Sequence, residues 1–200
     1  MTVTSADDAP SGRAAQQLRC CRPFNRLTPE QATALEPQLV TRHYRLGQTV
    51  LRPDQLPDGV LLVVEGKLRS LALDPNTQEL RTLELLEEGD SAGWSSLLRQ
   101  APCEQLRAAT ETTVLVLPAT AFHQLLEGEA ELRHWYSRHG SAAELHHLLE
   151  RLQGKSAAPP PNQQTWEQLL SETQVRSLPA GHPASLDLPS DRHWYVSSGG

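Results

Sequence analysis

From Arg42 onward the chain breaks into short apolar runs separated by turn residues: HYRLG, VLLVVEG, KLRSLALD, ELRTLELLE, LRAAT and TVLVLP. Runs of this length, rich in Val, Leu and Thr, predict the strands of an antiparallel sandwich or barrel. The turn chemistry agrees. Asp58-Gly59 precedes one run, Glu65-Gly66 follows it, and Asp74-Pro75-Asn76 separates the next two as in a hairpin.

Helical periods flank this region. Thr28 is placed to cap a helix, with Pro29 in its first turn and Gln31 completing a capping box, and the helix should end near Pro37. After Pro118 the period is helical again. Phe122, Leu125 and Leu126 recur at three and four, and a second short helix carries Leu132, Trp135 and Tyr136. A third helix follows, in which Ser141 and Glu144 form a capping box, Gly154 marks the end, and Leu145, Leu148, Leu149 and Leu152 form one stripe. Residues 1–22 show no periodicity and are predicted to be a mobile arm without a fold.

The prolines of GKSAAPPPNQQ predict an extended linker over 154–164. Beyond it, residues 165–200 can be laid against the start of the first domain. Arg42 and Arg176 each precede a glycine by five residues, Gly47 and Gly181, and further glycines follow each apolar run at Gly66 and Gly199. This predicts the truncated beginning of a second, similar unit, and a 200-residue N-terminal portion of a longer polypeptide.

Charge and composition narrow the function. With 24 acidic against 18 basic residues the formal net charge is −6, which argues against nucleic acid as a partner. The longest apolar stretch, Val60 to Val64, is far short of the ~20 residues of a bilayer span, and the N-terminus lacks the apolar core of a signal peptide. The expected location is therefore cytoplasmic, with the three cysteines as reduced thiols. No GxSxG, GxxxxGK[ST], HExxH or His-x-His motif occurs, so no catalytic or metal-binding residue is predicted and the segment is read as non-enzymatic. His134, His139, His146 and His147 lack a two-ligand spacing on one face and read as a solvated polar surface.

Three segments over 23–153 carry a family resemblance: VLLVVEGKLRSLAL, LEEGDSAGWSSLLR and LRAATETTVLVLPATAFHQLL. In this order they resemble the cyclic nucleotide-binding domain of the catabolite-activator and protein-kinase-A regulatory family. The resemblance implies a mainly β fold with flanking helices, an antiparallel jelly-roll β-barrel followed by C-terminal helices. It also implies a phosphate-binding cassette, a short helix whose N-terminal amides face a cyclic phosphate. The matching positions are Ala92, Gly93, Trp94, Ser95 and Ser96, with Pro102 and Cys103 closing the stretch. Two charged anchors of the family are absent. Trp94 stands where the family has Glu, Pro102-Cys103 stands where it has Pro-Arg, and Glu104 would repel a phosphate. The expected site is thus degenerate, with no bound cofactor. The alternative is a genuine cyclic nucleotide sensor using Arg107 or, less naturally, Arg99, expected to face solvent, as a relocated arginine.

Trp94 reads as a filler of a pocket that lost its ligand, or as a stacking platform for a purine. Cys103 beside Glu104 reads as structural. The Leu145/Leu148/Leu149/Leu152 stripe has two readings: a helix that dimerises or relays to a protein partner or downstream domain, or one that packs back on its own barrel. A Pro-rich linker stands where a DNA-reading relative would place a helix-turn-helix. Finally, GWSSLLRQAPCE is similar to N-terminal regions of bacterial peptidase-containing ABC exporters of the type I secretion class. That likeness implies a regulatory module at the inner face of a membrane, tethered through domains beyond residue 200.

Overall fold

The longest apolar run becomes a strand buried on both faces. In the computed structural model, which describes residues 3–4, 12–73, 79–153 and 163–173, Gly59–Glu65 is the strand β4 in the order given below. Its Val60 and Leu62 pack into a core shared with helices, while Leu61 and Val63 pack into a second core between two sheets. A strand covered on both sides has no polar face to alternate, which is why Val60–Val64 reads as a continuous block.

The strands among the described residues are β1 (Val3–Thr4), β2 (Val40–Tyr44), β3 (Thr49–Leu51), β4, β5 (Leu68–Leu73), β6 (Leu80–Leu86), β7 (Ser91–Ala92), β8 (Gln105–Ala108) and β9 (Thr112–Pro118). They form two antiparallel sheets, ordered β1-β2-β9-β4-β7 and β3-β8-β5-β6. Leu61, Val63, Leu68, Leu86, Leu106, Val114 and Val116 fill the space between them. Every predicted apolar run is a strand, whereas β1, β3 and β7 are too short to leave a periodic signal. The β4–β5 turn depends on Gly66. Its φ is +84°, and a Cβ there would lie 2.2 Å from the carbonyl oxygen of Glu111, so no side chain fits.

The helices are α1 (Arg13–Cys20), α2 (Pro29–Leu35), α3 (Trp94–Arg99), α4 (Ala119–Gly128), α5 (Ala130–Tyr136), α6 (Ala142–Gln153) and α7 (Gln163–Glu172). The capping box of α2 is formed in both directions between Thr28 and Gln31, and a 3-10 turn over Glu36–Gln38 carries the chain past Pro37. The expectation of a mobile arm over 1–22 is corrected for its second half. Residues Arg13–Cys20 are helical, with Ala15 and Leu18 buried against α2, and the Glu36 carboxylate accepts from the Gly12 and Ala14 amides at 2.9 and 3.2 Å. The apolar face of α1 consists of two alanines, one leucine and Cys21, too little hydrophobicity to stand out before the core it joins is known.

The start of the predicted linker and the second-unit match over 174–200 lie outside the described residues. Within 163–173 the chain forms α7, which takes in the end of the predicted linker and the helical TWEQLLSET segment. No helix among the described residues is long and apolar enough to cross a membrane.

Candidate functional site

The short helix α3 lies between β7 and β8, as expected. Gly93 turns the chain into it with φ +86°, a left-handed conformation, and a Cβ at this position would lie 2.9 Å from the Gly59 carbonyl oxygen. Ala92, Gly93, Trp94, Ser95 and Ser96 are all buried. The amides of the first helical turn have no partner within the helix and must be satisfied by something else.

That partner is Glu104. Its carboxylate accepts from the Gly93 amide at 2.8 Å, from the Ser96 amide at 3.1 Å and from the Ser96 hydroxyl at 2.7 Å, and the residue is 4% exposed. The geometry follows from strand alternation. Leu106 and Ala108 of β8 face the core, Arg107 is exposed, and Glu104, two residues before Leu106, falls on the inward side. A residue that the sequence presents only as repelling an anion therefore supplies the anion. The signal was present in the inward period Glu104, Leu106, Ala108, but its meaning required the position of α3.

The two candidate arginines have opposite fates. Arg107 is exposed on β8 and does not reach α3. Arg99, expected to face solvent, is instead drawn inward, its side chain 7% exposed, and pairs with the Glu144 carboxylate on α6, itself 10% exposed. The direction of α6 explains the correction, since it brings an acid over a helix whose last turn would otherwise be open. A second link joins the same elements, with the Ser95 and Ser141 hydroxyls 2.8 Å apart. Ser141 accepts from the Glu144 amide at 3.1 Å, as one half of the predicted capping box requires, and the Glu144 carboxylate pairs with Arg99.

The leucine stripe of α6 packs, in part, on the domain's own sheet. Leu145 and Leu149 lie against Ala72 of β5 and Leu83 of β6, together with Ala142 and Ala143. Leu148 is half-buried, and the Leu152 side chain lies outside the described residues. His146, expected on a solvated face, is 5% exposed and lies 3.5 Å from Glu150, whereas His134, His139 and His147 are exposed. His139 stacks on Trp135, with ring centroids 3.8 Å apart.

Trp94 neither fills the pocket nor offers a stacking platform there. It points to the helical side of the domain, 6% exposed, with its ring centroid 5.1 Å from Tyr136 and 6.0 Å from Trp135. An indole at this position belongs to the core that holds α3 against α5.

A cavity of about 440 Å³ opens beneath α6. Leu71 and Leu83 line it from the sheet, Pro102 and Cys103 from the segment after α3, and Ala143 and His146 from α6. The Cys103 sulfur lies 3.4 Å from the Ser96 hydroxyl, and burial, then the neighbouring Glu104, push the thiol up. This is the inert arrangement expected of a structural cysteine. On the inner side of β6, Glu84 is raised to about 7, chiefly by burial and then by the charges of Glu104 and Asp90. Among the described residues no group of His, Cys, Asp and Glu is arranged to hold a metal ion.

The domain thus consists of two antiparallel sheets, a glycine-initiated short helix ahead of β8, and a helix packed on β5 and β6. Residues 41–129 match the family model of the cyclic nucleotide-binding domain. The fold is that of a cyclic nucleotide-binding domain. One form of the cGMP-dependent protein kinase isozyme 2 of Drosophila melanogaster is 27% identical over 124 residues, covering 59% of this chain and 13% of the kinase. The chain thus spans about an eighth of the curated relatives it matches. The regulatory domain of Toxoplasma gondii PKA, solved with cAMP, matches with a TM-score of 0.53 at 18% identity, covering 56% of this chain and 44% of that one. The regulatory subunit of a cAMP-independent protein kinase A from Trypanosoma brucei matches with a TM-score of 0.56 at 16% identity, covering 62% and 46%. Its Trypanosoma cruzi counterpart, bound to guanosine, gives 0.51 at 17% identity, covering 56% and 40%.

Proposed function

We propose that residues 23–153 form a non-catalytic regulatory module of the cyclic nucleotide-binding kind whose phosphate cradle is occupied by its own Glu104. The observation that carries this reading is the set of three donors, two amides and a hydroxyl, that converge on that carboxylate. A cyclic phosphate entering the cradle would have to displace these bonds and meet a like charge. At ~4 Å and an effective dielectric of ~20, that repulsion alone is about 4 kcal/mol, which converts to roughly a thousandfold in affinity. Micromolar binding would fall to millimolar.

The alternative of a sensor with a relocated arginine is weakened by the same geometry. Arg107 lies on the outer face, and Arg99 is already neutralised by Glu144. The two trypanosomal subunits, described as parts of a cAMP-independent kinase, offer a precedent for this fold without cAMP control. In this reading output passes through α6 to a protein partner or to further domains of the polypeptide, with a homodimer through the Leu145–Leu152 helix as one form of it. Placement at the cytoplasmic face of a bacterial exporter rests on the GWSSLLRQAPCE segment.

Calorimetric titration of the 200-residue chain with cAMP and cGMP, carried to millimolar ligand, tests the proposal. No saturable binding is expected for the native chain, and Glu104→Ala is expected to gain at least tenfold. Micromolar binding by the native chain that disappears in Arg99→Ala would establish the sensor instead.

A further inference from the structure

Basic residues are unevenly distributed along this acidic chain. Residues 9–29 hold Arg13, Arg19, Arg22 and Arg26 and no Asp or Glu, and residues 132–143 hold Arg133, His134, Arg138 and His139 and again no acid. The fold brings the two stretches together. The 3-10 turn Phe24–Arg26 packs on α5, because Phe24, Leu132 and Tyr136 are buried in one core. The polar ends of both elements stay on the surface, where Arg26, His134, Arg138 and His139 are exposed.

A cavity of about 320 Å³ opens at this seam, lined by Arg26, Glu131, His134, Trp135, Arg138 and His139. His139 lies flat on the Trp135 indole, and its Nδ1 donates to the Trp135 carbonyl at 2.6 Å, which fixes both rings in the wall. Glu131 is the acid among the lining residues, 3.8 Å from Arg26, with the two side chains 78% and 46% exposed. An ion pair this open contributes little, so Arg26 can exchange Glu131 for an incoming carboxylate. Guanidiniums take carboxylates through paired, directional hydrogen bonds. The net charge of −6 opposes a nucleic acid here. A membrane surface calls for apolar side chains inserted beside the cations, and none of the exposed large hydrophobic residues among those described lies on α1, on the turn or on α5. Arginines beside an indole in a small concavity match a peptide that carries carboxylates next to an apolar side chain.

We propose that the seam between the Phe24–Arg26 turn and α5 binds an acidic, Asp/Glu-rich peptide segment of a protein partner, with carboxylates on Arg26 and Arg138 and an apolar side chain on Trp135. The site is separate from the α3 cradle and does not depend on whether a nucleotide binds there. Titrate the 200-residue chain against a dye-labelled Glu/Leu peptide, a matched Lys/Leu peptide and a single-stranded oligothymidylate by fluorescence anisotropy, and against phosphatidylserine vesicles by co-sedimentation. The acidic peptide is expected to bind saturably, and at least tenfold more weakly at about 0.5 M salt. Arg26→Glu and Arg138→Glu are each expected to weaken it at least tenfold, whereas Arg107→Glu, on the exposed face of β8, leaves it unchanged. Glu131→Gln removes the competing carboxylate and is expected to tighten binding about threefold, a gain that a folding failure cannot produce. Absence of saturable binding by the acidic peptide, or tighter binding to the oligonucleotide or the vesicles, overturns the proposal. Peptide binding that survives both arginine reversals overturns the assignment to this seam.

Discussion

Removing the Arg99 guanidinium tests whether α6 is fastened to the cassette helix. Both side chains of the Arg99–Glu144 pair are nearly withdrawn from water, at 7% and 10% exposure. Surface ion pairs contribute little, but breaking a buried one strands a desolvated charge and costs about 3–5 kcal/mol. Arg99→Ala is therefore expected to cost about 3 kcal/mol, at the lower end because the Ser95–Ser141 contact still joins the two helices. With a urea dependence of about 2 kcal/mol per molar, the unfolding midpoint should fall by roughly 1.5 M. Glu144→Ala should cost a similar amount. The double variant should cost less than the sum, with a coupling energy of about 1–3 kcal/mol. Hydrogen exchange in α6 should accelerate in either single variant while β4 and β9 stay protected. Strictly additive losses, or a loss below about 0.5 kcal/mol for Arg99→Ala, would refute the claim that this pair holds α6 down.

Three further outcomes are expected. Glu104→Ala leaves the Gly93 and Ser96 donors without their acceptor, at about 1–3 kcal/mol for each buried group left unpaired; added inorganic phosphate should raise the melting temperature of this variant more than that of the native chain, and equal shifts would count against the cradle. Glu84 is raised to about 7 from the usual 4.5 of a glutamate, so the folded state holds its proton longer than the unfolded one, and this stabilisation is full below about 4.5 and lost as pH rises through about 7. Glu84→Gln should therefore stabilise the chain at pH 8 more than at pH 5, as read from melting curves, and the opposite order would show that burial does not govern this carboxyl. Gly66→Ala should lower stability by more than about 1 kcal/mol, because it forces a left-handed alanine against the Glu111 carbonyl, and an unchanged melting temperature would mean that the turn can rearrange.

Much of the architecture was legible because periodicity is a local property. The strands β2, β4, β5, β6, β8 and β9 each carry an apolar run long enough to register, and the α2 capping box is complete within four residues. The short strands β3 and β7 and the weakly apolar α1 escaped because their existence depends on partners distant in sequence. Ser91–Ala92 is a strand through its pairing with Leu61 and Leu62. Leu18 is core because α2 and the helical cluster surround it.

The candidate site divides along the same line. Gly93, Ser95 and Ser96 were assigned to a short helix start through the resemblance their segment carries, and the missing charged anchors were visible residue by residue. Where Glu104 and Arg99 point was not. The inward alternation of β8 aims Glu104 at the α3 amides, and the path of α6 brings Glu144 to Arg99, 45 positions along the chain. Sequence by itself determined which residues were present to bind or repel an anion, because charge and hydrogen-bonding capacity belong to the side chain. Only the tertiary structure decided which of them meet, because a burial cost is met by whichever partner the packed sheets and helices bring within bonding distance.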